Sequence, residues 1–218
     1  MIRIGILVSG SGTNLQSIVE ACAAGRIDAH VAVVISNRPE AYALKRADLA
    51  GLATRVVQAG DHPSRESYDA ALVEILRQQQ VDLVVLAGYM RIVTPLFLKA
   101  FPNRVMNIHP ALLPAFPGLN VQQQAIDYGV RFSGCTVPFL DEGVDTGPII
   151  SQAVCPVYPD DTAEELGQRI LKLEHRIYPE AIALFAAGRL RIEGRRVIVV
   201  DAPRQTQDCL FNPGLPRD

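Results

Sequence analysis

Residues 2–15 read IRIGILVSGSGTNL, an apolar run followed by a glycine-rich loop and the beginning of a periodic pattern. The run is rich in branched apolar residues on both faces, which is typical of a strand buried in a parallel sheet. A helical period begins after the loop, with apolar residues at Leu15, Ile18, Val19 and Cys22. The stretch therefore predicts a strand, a glycine-rich turn and a helix, the first part of a βαβ unit.

The same alternation continues through the first half of the chain. Short apolar runs lie at residues 30–36, 53–58 and 82–88, and each looks apolar on both faces. An amphipathic stretch at 68–76, preceded by a capping residue at Ser64, separates the last two runs. Strands that alternate with helices predict an α/β fold with a doubly wound, mostly parallel sheet.

The pattern changes after about residue 104. Three further runs, at 104–109, 133–140 and 148–157, predict strands. A long amphipathic helix follows at 162–188 and opens with a threonine and a glutamate spaced as a capping box. The segment RLRIEGRRVIVV then predicts a C-terminal hairpin that turns at Glu193-Gly194.

Composition narrows the function classes. The net charge is −2, which gives no electrostatic reason to expect nucleic acid or a membrane surface as a partner. No stretch reads as a signal peptide, and no apolar run reaches the roughly 18 residues of a membrane span. The 4 cysteines lie far apart and no ligand cluster is visible, so we expect no disulfide framework and no metal. The expected location is cytoplasmic.

The glycine-rich loop has three possible interpretations. It supplies two glycines of a dinucleotide motif, but Leu15 stands where the third belongs, and no acidic residue follows the second strand. Arg38 there could suit NADP, so an NADP-binding oxidoreductase stays open. A sugar-phosphate loop fits better, with the backbone N–H groups of Gly12, Thr13 and Asn14 directed at the anion. The third possibility is a tight turn without ligand, in which Asn14 caps the helix.

Polar residues collect in two later segments. Asn107 and His109, in NRVMNIHPALLPAFPG at 103–118, are two apart on a predicted strand and share a face. An amide can donate to a developing oxyanion and an imidazole can move a proton near neutral pH. The segment DEGVDTGPII at 141–150 offers carboxylates, one of which could orient the histidine. A histidine without a catalytic role and a solvated acidic turn are the alternatives.

A resemblance to a known family follows from these motifs taken together. SGSGTNL, ISNR, LAGYMRIV, NIHPALLPAFPG, DEGVDTGPIISQ and EHRIYP resemble the phosphoribosylglycinamide formyltransferase family over about residues 2–192. The resemblance implies a Rossmann-like formyltransferase fold with a C-terminal hairpin. We expect a single formyltransferase domain at 1–202, with a phosphate-binding half at 1–103 and a catalytic and folate-binding half at 104–202. Residues 203–218 read as a loosely held tail.

The resemblance also implies a reaction and a site. The formyl group of 10-formyltetrahydrofolate, a cosubstrate, would pass to the amine of glycinamide ribonucleotide in purine biosynthesis, without a metal and without nucleic acid or membrane partners. The implied catalytic residues are Asn107, His109 and Asp145. The implied ribonucleotide-binding residues are Gly12, Thr13, Asn14 and Glu174. The implied folate-binding residues are Arg65, Met90, Arg91, Ile92, Val93, Asn107, Asp141, Glu142, Gly143, Val144 and Asp145.

Some features of the chain depart from the family or stay open. Asn120 and Pro138 stand where many members have histidine, which affects auxiliary proton relays and leaves the catalytic residues in place. The resemblance implies a cis peptide between Leu113 and Pro114. A formyltetrahydrofolate deformylase and a non-catalytic folate-binding module remain alternatives, and either a monomer or a homodimer is compatible with the sequence.

Overall fold

The computed structural model describes residues 1–201, so the predicted tail at 203–218 lies outside the described residues. A parallel sheet with the order β3-β2-β1-β4-β5 forms its centre. The strands are β1 (Ile2–Val8), β2 (Ala29–Ser36), β3 (Thr54–Val56), β4 (Leu83–Leu86) and β5 (Val105–Asn107). The chain reverses its winding between β1 and β4, which confirms the doubly wound fold and places a crevice at the carboxyl ends of these strands.

Helices pack on both faces of this sheet and cover two apolar clusters. The capping residues predicted for α3 and α6 are confirmed, since Ser64 and the Thr162–Glu165 capping box begin these helices. The helices are α1 (Thr13–Ala23), α2 (Tyr42–Leu49), α3 (Arg65–Gln78), α4 (Pro95–Ala100), α5 (Val121–Tyr128) and α6 (Ala163–Ala186), with a 3₁₀ turn at Ala59–Asp61. In residues 1–201 no helix is long and apolar enough to cross a membrane.

The last four strands form a second, mixed sheet with the order β6-β7-β9-β8. They are β6 (Phe132–Pro138), β7 (Ile149–Pro156), β8 (Leu190–Glu193) and β9 (Arg196–Val199). The predicted hairpin is confirmed as β8 and β9, and β9 pairs in parallel with β7. Two isolated bridges, Met106 with Phe139 and His109 with Thr136, join the two sheets.

Helix α6 lies across the junction of the two sheets. The hydroxyl of Tyr178, which is fully buried, lies 3.0 Å from the carbonyl oxygens of both Leu86 and Met106. Leu86 is the last residue of β4, and Met106 lies within β5. The Tyr178 side chain therefore fixes the helix to the carboxyl end of the parallel sheet. The same helix carries Glu174 one turn earlier and therefore holds it against this edge.

The structure corrects one expectation from the sequence and one detail of an alternative interpretation of the glycine-rich loop. Strand β3 lies at the edge of the sheet and its three residues are exposed or half-buried, so the 53–58 run is not a buried central strand. Asn14 does not cap α1. Gly12 occupies the N-cap in the left-handed region at φ 73°, and Asn14 lies in the first turn with its side chain turned inward.

Candidate active site

The glycine-rich loop packs tightly against α2. The N–H of Ala43 donates to the carbonyl oxygen of Gly10 at 3.0 Å. A Cβ atom on Gly12 would lie 2.6 Å from the Cβ of Ala43, and its positive φ also favours glycine. The first N–H groups of α1, from Thr13 onward, have no partner within the helix. The loop therefore presents backbone donors and the positive end of a helix at the crevice.

A buried hydrogen bond links this loop to helix α6. The side-chain amide of Asn14 donates to Glu174 Oε2 at 2.8 Å. Burial raises the pKa of the Glu174 carboxyl, while this hydrogen bond and the nearby charge of His109 act in the opposite direction. The carboxyl thus lies within electrostatic reach of both the loop and the histidine. Asn14 Oδ1 is buried and has no hydrogen-bond partner within residues 1–201.

His109 lies two residues after the end of β5 and is held by its backbone. Its N–H and carbonyl oxygen exchange hydrogen bonds with Thr136 of β6, both at 2.9 Å. The imidazole is only 4% exposed. Its Nδ1 lies 3.4 Å from Asp145 Oδ2, and its Nε2 lies 2.9 Å from the carbonyl oxygen of Phe116. Both nitrogens face acceptors, an arrangement that an imidazolium ring matches by donating from each.

The loop that carries Asp145 meets the proline-rich loop through the same carboxylate. Asp145 Oδ2 accepts a hydrogen bond of 3.0 Å from the N–H of Gly118. Asp145 itself is in the left-handed region at φ 54°, a conformation that aspartate adopts more readily than most residues. The expected meeting of His109 with a carboxylate of segment 141–150 is therefore present, and Asp145 supplies it.

Asn107 lies beside this pair at the end of β5. It is half-buried and is the last residue of the strand, two residues before His109. Among the residues that the structure describes, none hydrogen-bonds its side-chain amide. The amide is therefore free to donate to a bound molecule.

Sequence reasoning missed two residues that hold the loop after His109. The buried hydroxyl of Thr136 donates to the carbonyl oxygen of Ala111 at 2.7 Å and accepts from the N–H of Leu113 at 3.0 Å. The amide of Gln152 donates to the carbonyl oxygen of Leu113 at 2.9 Å. A threonine between the apolar residues Cys135 and Val137 of a buried strand was the available signal. The Leu113–Pro114 peptide is cis, as the resemblance implies.

The loop after β4 is attached to the glycine-rich loop through Ser9. The N–H of Met90 donates to the Ser9 hydroxyl at 2.8 Å, and that hydroxyl donates to Asn37 Oδ1 at 2.6 Å. Ser9 is buried, and sequence reasoning did not assign it or Asn37 to the site. The carboxyl ends of β1, β2 and β4 are thereby joined at the crevice.

The implied folate residues fall into two groups. In the first, the guanidinium of Arg65 donates to the carbonyl oxygen of Ile92 at 3.0 Å, and that of Arg91 lies 4.7 Å from the Tyr68 ring centre. The side chains of Met90 and Ile92 are 61% and 62% exposed. Val93, in contrast, is buried in the core, so only its backbone can face a ligand.

The second group is the acidic loop between β6 and β7. Asp141 Oδ1 accepts hydrogen bonds from the N–H of Gly143 at 3.1 Å and from the hydroxyl of Thr146 at 2.6 Å. This carboxylate therefore stabilises the turn of its own loop. Glu142, Gly143 and Val144 are exposed at the tip.

The two departures from the family pattern each have a structural role. Asn120 begins α5 at φ 54°, a left-handed conformation that asparagine tolerates. Pro138 ends β6 at a register shift opposite Ile149, where its missing N–H removes no regular ladder bond. Within residues 1–201 no group of three or more histidine, cysteine or acidic side chains is arranged to hold a metal ion.

The glycine-rich loop and His109 both lie at the carboxyl ends of strands of the parallel sheet, and comparison with known proteins gives the class of enzyme. A model of the formyl transferase family matches residues 2–182, so the chain belongs to that family. Its sequence is 45% identical to the phosphoribosylglycinamide formyltransferase of Haemophilus influenzae and 42% identical to that of Escherichia coli. These alignments cover 88% and 87% of the chain, and 91% and 90% of those proteins.

Solved structures and longer proteins agree with this assignment. The glycinamide ribonucleotide transformylase 1 of Symbiobacterium toebii superposes with a TM-score of 0.91 at 60% identity, covering 92% of this chain and 95% of that one. A trifunctional purine biosynthetic protein of Drosophila melanogaster is 48% identical over 85% of the chain, which spans only 14% of that protein's length. Within its family the chain is thus similar to the phosphoribosylglycinamide formyltransferases.

Proposed function

We propose that this protein transfers the formyl group of 10-formyltetrahydrofolate to the amine of 5′-phosphoribosylglycinamide. The products are 5′-phosphoribosyl-N-formylglycinamide and tetrahydrofolate, a step of de novo purine biosynthesis. One observation carries the proposal. Asn14 of the glycine-rich loop binds Glu174, and Glu174 lies within electrostatic reach of His109. The buried carboxyl of Glu174 therefore connects the glycine-rich loop with the surroundings of His109, and this connection supports a site that binds a sugar phosphate and transfers an acyl group.

The ribonucleotide would lie along this connection. Its 5′-phosphate would accept hydrogen bonds from the backbone of Gly12, Thr13 and Asn14 at the beginning of α1. The carboxylate of Glu174 lies next to the loop, against Asn14, and could accept hydrogen bonds from the ribose hydroxyls. Asn14 Oδ1, buried without a partner among the described residues, offers a further acceptor there. The glycinamide end would then extend toward Asn107 and His109.

The transfer would proceed without a covalent enzyme intermediate. The substrate amine attacks the formyl carbon, a C–N bond forms, and the carbonyl oxygen becomes an oxyanion. The Asn107 amide and the His109 imidazolium would stabilise that oxygen, and one well-placed donor is commonly worth about 3 kcal/mol. The bond to N10 of the folate then breaks. The proton lost by the amine reaches N10 with the help of Asp145, whose carboxylate sustains the charge on His109.

The folate would bind on the opposite side of the catalytic pair. Exposed apolar side chains at Met90 and Ile92, with Arg65 and Arg91 beside them, offer contacts for its ring and its acidic tail. The 141–145 loop would contact the pterin through its backbone. We assign to this part of the site Arg65, Met90, Arg91, Ile92, Val93, Asn107, Asp141, Glu142, Gly143, Val144 and Asp145.

The proposal extends to the organisation of the protein. We assign one formyltransferase domain to residues 1–202, with the phosphate loop in 1–103 and the catalytic groups in 104–202. Because the substrates are small soluble metabolites, we propose a cytoplasmic enzyme that acts as a monomer or homodimer. The donor set of the site, an amide, an imidazole and a carboxylate, stabilises the oxyanion by hydrogen bonding and needs no metal ion.

A single assay tests the function. The protein is incubated with glycinamide ribonucleotide and 10-formyltetrahydrofolate, and deformylated folate is followed with each substrate omitted in turn. We expect product only when both are present, with formylated ribonucleotide formed in equal amount. A formyltetrahydrofolate deformylase of Pseudomonas syringae superposes at 25% identity with a TM-score of 0.85. Folate product without the ribonucleotide would therefore identify a hydrolase, and no product under any condition would identify a binding module.

A further inference from the structure

A basic side chain that the sequence motifs do not mark lies against the glycine-rich loop. Arg46 projects from α2, and its Nε donates to the carbonyl oxygen of Ser11 at 2.9 Å. Its guanidinium also lies 5.0 Å from the centre of the Tyr42 ring. Two contacts thus fix the orientation of the group, while its terminal nitrogens keep donors that Ser11 does not use.

The space beside this guanidinium is a cavity that begins at the loop. It has a volume of about 330 Å³ and is lined by Thr13 at the beginning of α1, by Arg46 and by His175 of α6. Within residues 1–201 no carboxylate forms an ion pair with Arg46. The Arg46 guanidinium therefore lies next to the N-terminal N–H groups of α1 without an acidic partner among the described residues.

The other charged groups of the cavity lie farther along α1. Glu20 is seven residues after Thr13, roughly 10 Å along the helix, and one of its oxygens accepts a hydrogen bond from Gln16 at 2.9 Å. Arg26 follows the end of the helix and is exposed. The end of the cavity near the loop is thus the positive one, and an anion would bind there rather than near Glu20.

We infer that Arg46 binds the 5′-phosphate of the ribonucleotide and selects phosphorylated over unphosphorylated amines. The inference rests on the proposed function for the identity of the substrate, although the binding of a sugar phosphate does not depend on the transfer reaction. The backbone of the loop contributes N–H groups and partial charge, which any small anion can use. Arg46 adds a full positive charge, and its two terminal nitrogens can donate hydrogen bonds to a phosphate dianion.

Four proteins test the inference: the wild type, Arg46→Ala, Arg46→Lys and Lys45→Ala. Lys45 is the matched control, because it is exposed, lies on the same helix and approaches the same Tyr42 ring at 5.8 Å. Each protein is assayed with glycinamide ribonucleotide and with its dephosphorylated nucleoside. The KM for the folate is measured alongside.

We expect Arg46→Ala to lower kcat/KM for the ribonucleotide by about 10- to 100-fold, the usual effect of losing a charge-assisted hydrogen bond. The loss should lie in KM, because the phosphate is remote from the formyl carbon. The nucleoside and the folate should be unaffected within about twofold, Arg46→Lys should recover much of the loss, and Lys45→Ala should behave as wild type. An equal loss with nucleotide and nucleoside, or a loss that lysine does not reduce, would overturn the inference in favour of a purely structural role.

Binding of ribose 5-phosphate, measured by calorimetry, separates this inference from the proposed function. We expect the wild type and Lys45→Ala to bind it alike and Arg46→Ala to bind at least about tenfold more weakly, with a smaller dependence on salt. Equal binding by Arg46→Ala and the wild type would overturn the inference. A wild type that binds in this Arg46-dependent way but transfers no formyl group would refute the reaction and support the phosphate site.

Discussion

His109 is held between two acceptors of different charge, and this arrangement decides how its variants should behave. Asp145 faces Nδ1 at an ion-pair distance of 3.4 Å, while the carbonyl oxygen of Phe116 faces Nε2 at 2.9 Å. The carbonyl oxygen fixes the orientation of the ring, and the carboxylate places a negative charge beside it. The position of the ring thus depends on the Phe116 carbonyl, and the nearby charge depends on Asp145. A substitution of Asp145 can therefore remove the charge and leave the contact with the carbonyl.

We predict that His109→Ala and Asp145→Asn each lower kcat by about 10²- to 10⁴-fold while the fold persists. Asparagine can still accept the hydrogen bond from Gly118 but carries no charge, so its effect should appear in turnover rather than in thermal unfolding. His30→Ala and Asp160→Asn, at exposed positions, are the matched controls. Turnover near that of the wild type in either site variant would exclude that residue from catalysis.

Glu174 provides a prediction about pH and stability. Burial is the main cause that raises the pKa of its carboxyl above the ordinary value of 4.5. The folded state therefore holds this proton to a higher pH than the unfolded state, and the contribution of Glu174 to stability falls as pH rises from about 4.5 through the folded pKa. Above both pKa values, a tenfold difference in proton affinity between the folded and unfolded states lowers the free energy of unfolding by about 1.4 kcal/mol.

We predict that Glu174→Gln is more stable than the wild type at pH 8 and that this difference shrinks toward pH 4.5. Glutamine can still accept the hydrogen bond from Asn14 but has no charge to desolvate, so the pH-dependent cost disappears. Urea unfolding across this pH range measures the effect, and Glu180→Gln, exposed on the same helix, is the control. A difference that does not vary with pH would contradict the assignment. The variant should also bind the ribonucleotide more weakly.

At the scale of elements, helix α6 depends on one buried hydroxyl for its position. We predict that Tyr178→Phe lowers the free energy of unfolding by about 1–3 kcal/mol, because the carbonyl oxygens of Leu86 and Met106 lose a buried donor. Tyr128→Phe, at a side chain that is 80% exposed, should change it by less than about 0.5 kcal/mol. Chemical denaturation compares the two variants.

The same substitution separates stability from positioning. Glu174 is one helical turn before Tyr178, so a helix that shifts should weaken ribonucleotide binding as well as stability. If Tyr178→Phe is as stable as the control variant, the hydroxyl does not anchor α6. If it is less stable but binds the ribonucleotide normally, the helix keeps its place through apolar packing.

Most elements could be predicted because buried parallel strands and amphipathic helices repeat with different periods. Strand β3 shows where this reasoning fails, since an apolar run at the edge of a sheet reads like one at its centre until its neighbours are known. Asn14 shows a second limit. A polar residue at the beginning of a helix usually caps it, and its actual partner, Glu174, is 160 positions away.

At the scale of the whole molecule, the site lies where two sheets meet. The parallel sheet supplies the glycine-rich loop and the 105–109 segment, and the mixed sheet supplies Thr136 and the loop that carries Asp145. The sequence predicted these strands but not their division between two sheets, because pairing depends on contacts between distant segments. His109 and Asp145 were identified as candidates from their motifs. Thr136, which pairs with His109 through its backbone and holds the loop after it, was not recognised, because its role depends on the contact between the two sheets.

We predict that Thr136→Val disables the site from a distance. Its hydroxyl bonds Ala111 and Leu113 in the loop after His109, and it also accepts a 3.0 Å hydrogen bond from the Gln152 amide, so valine of similar shape leaves these groups without their partner. The free energy of unfolding should fall by about 1–3 kcal/mol and kcat should fall at least about tenfold. Thr136→Ser keeps the hydroxyl and should retain most activity. Equal turnover in the two variants would show that the backbone alone holds the loop after His109. The Thr136 hydroxyl of the mixed sheet would then have no part in positioning His109.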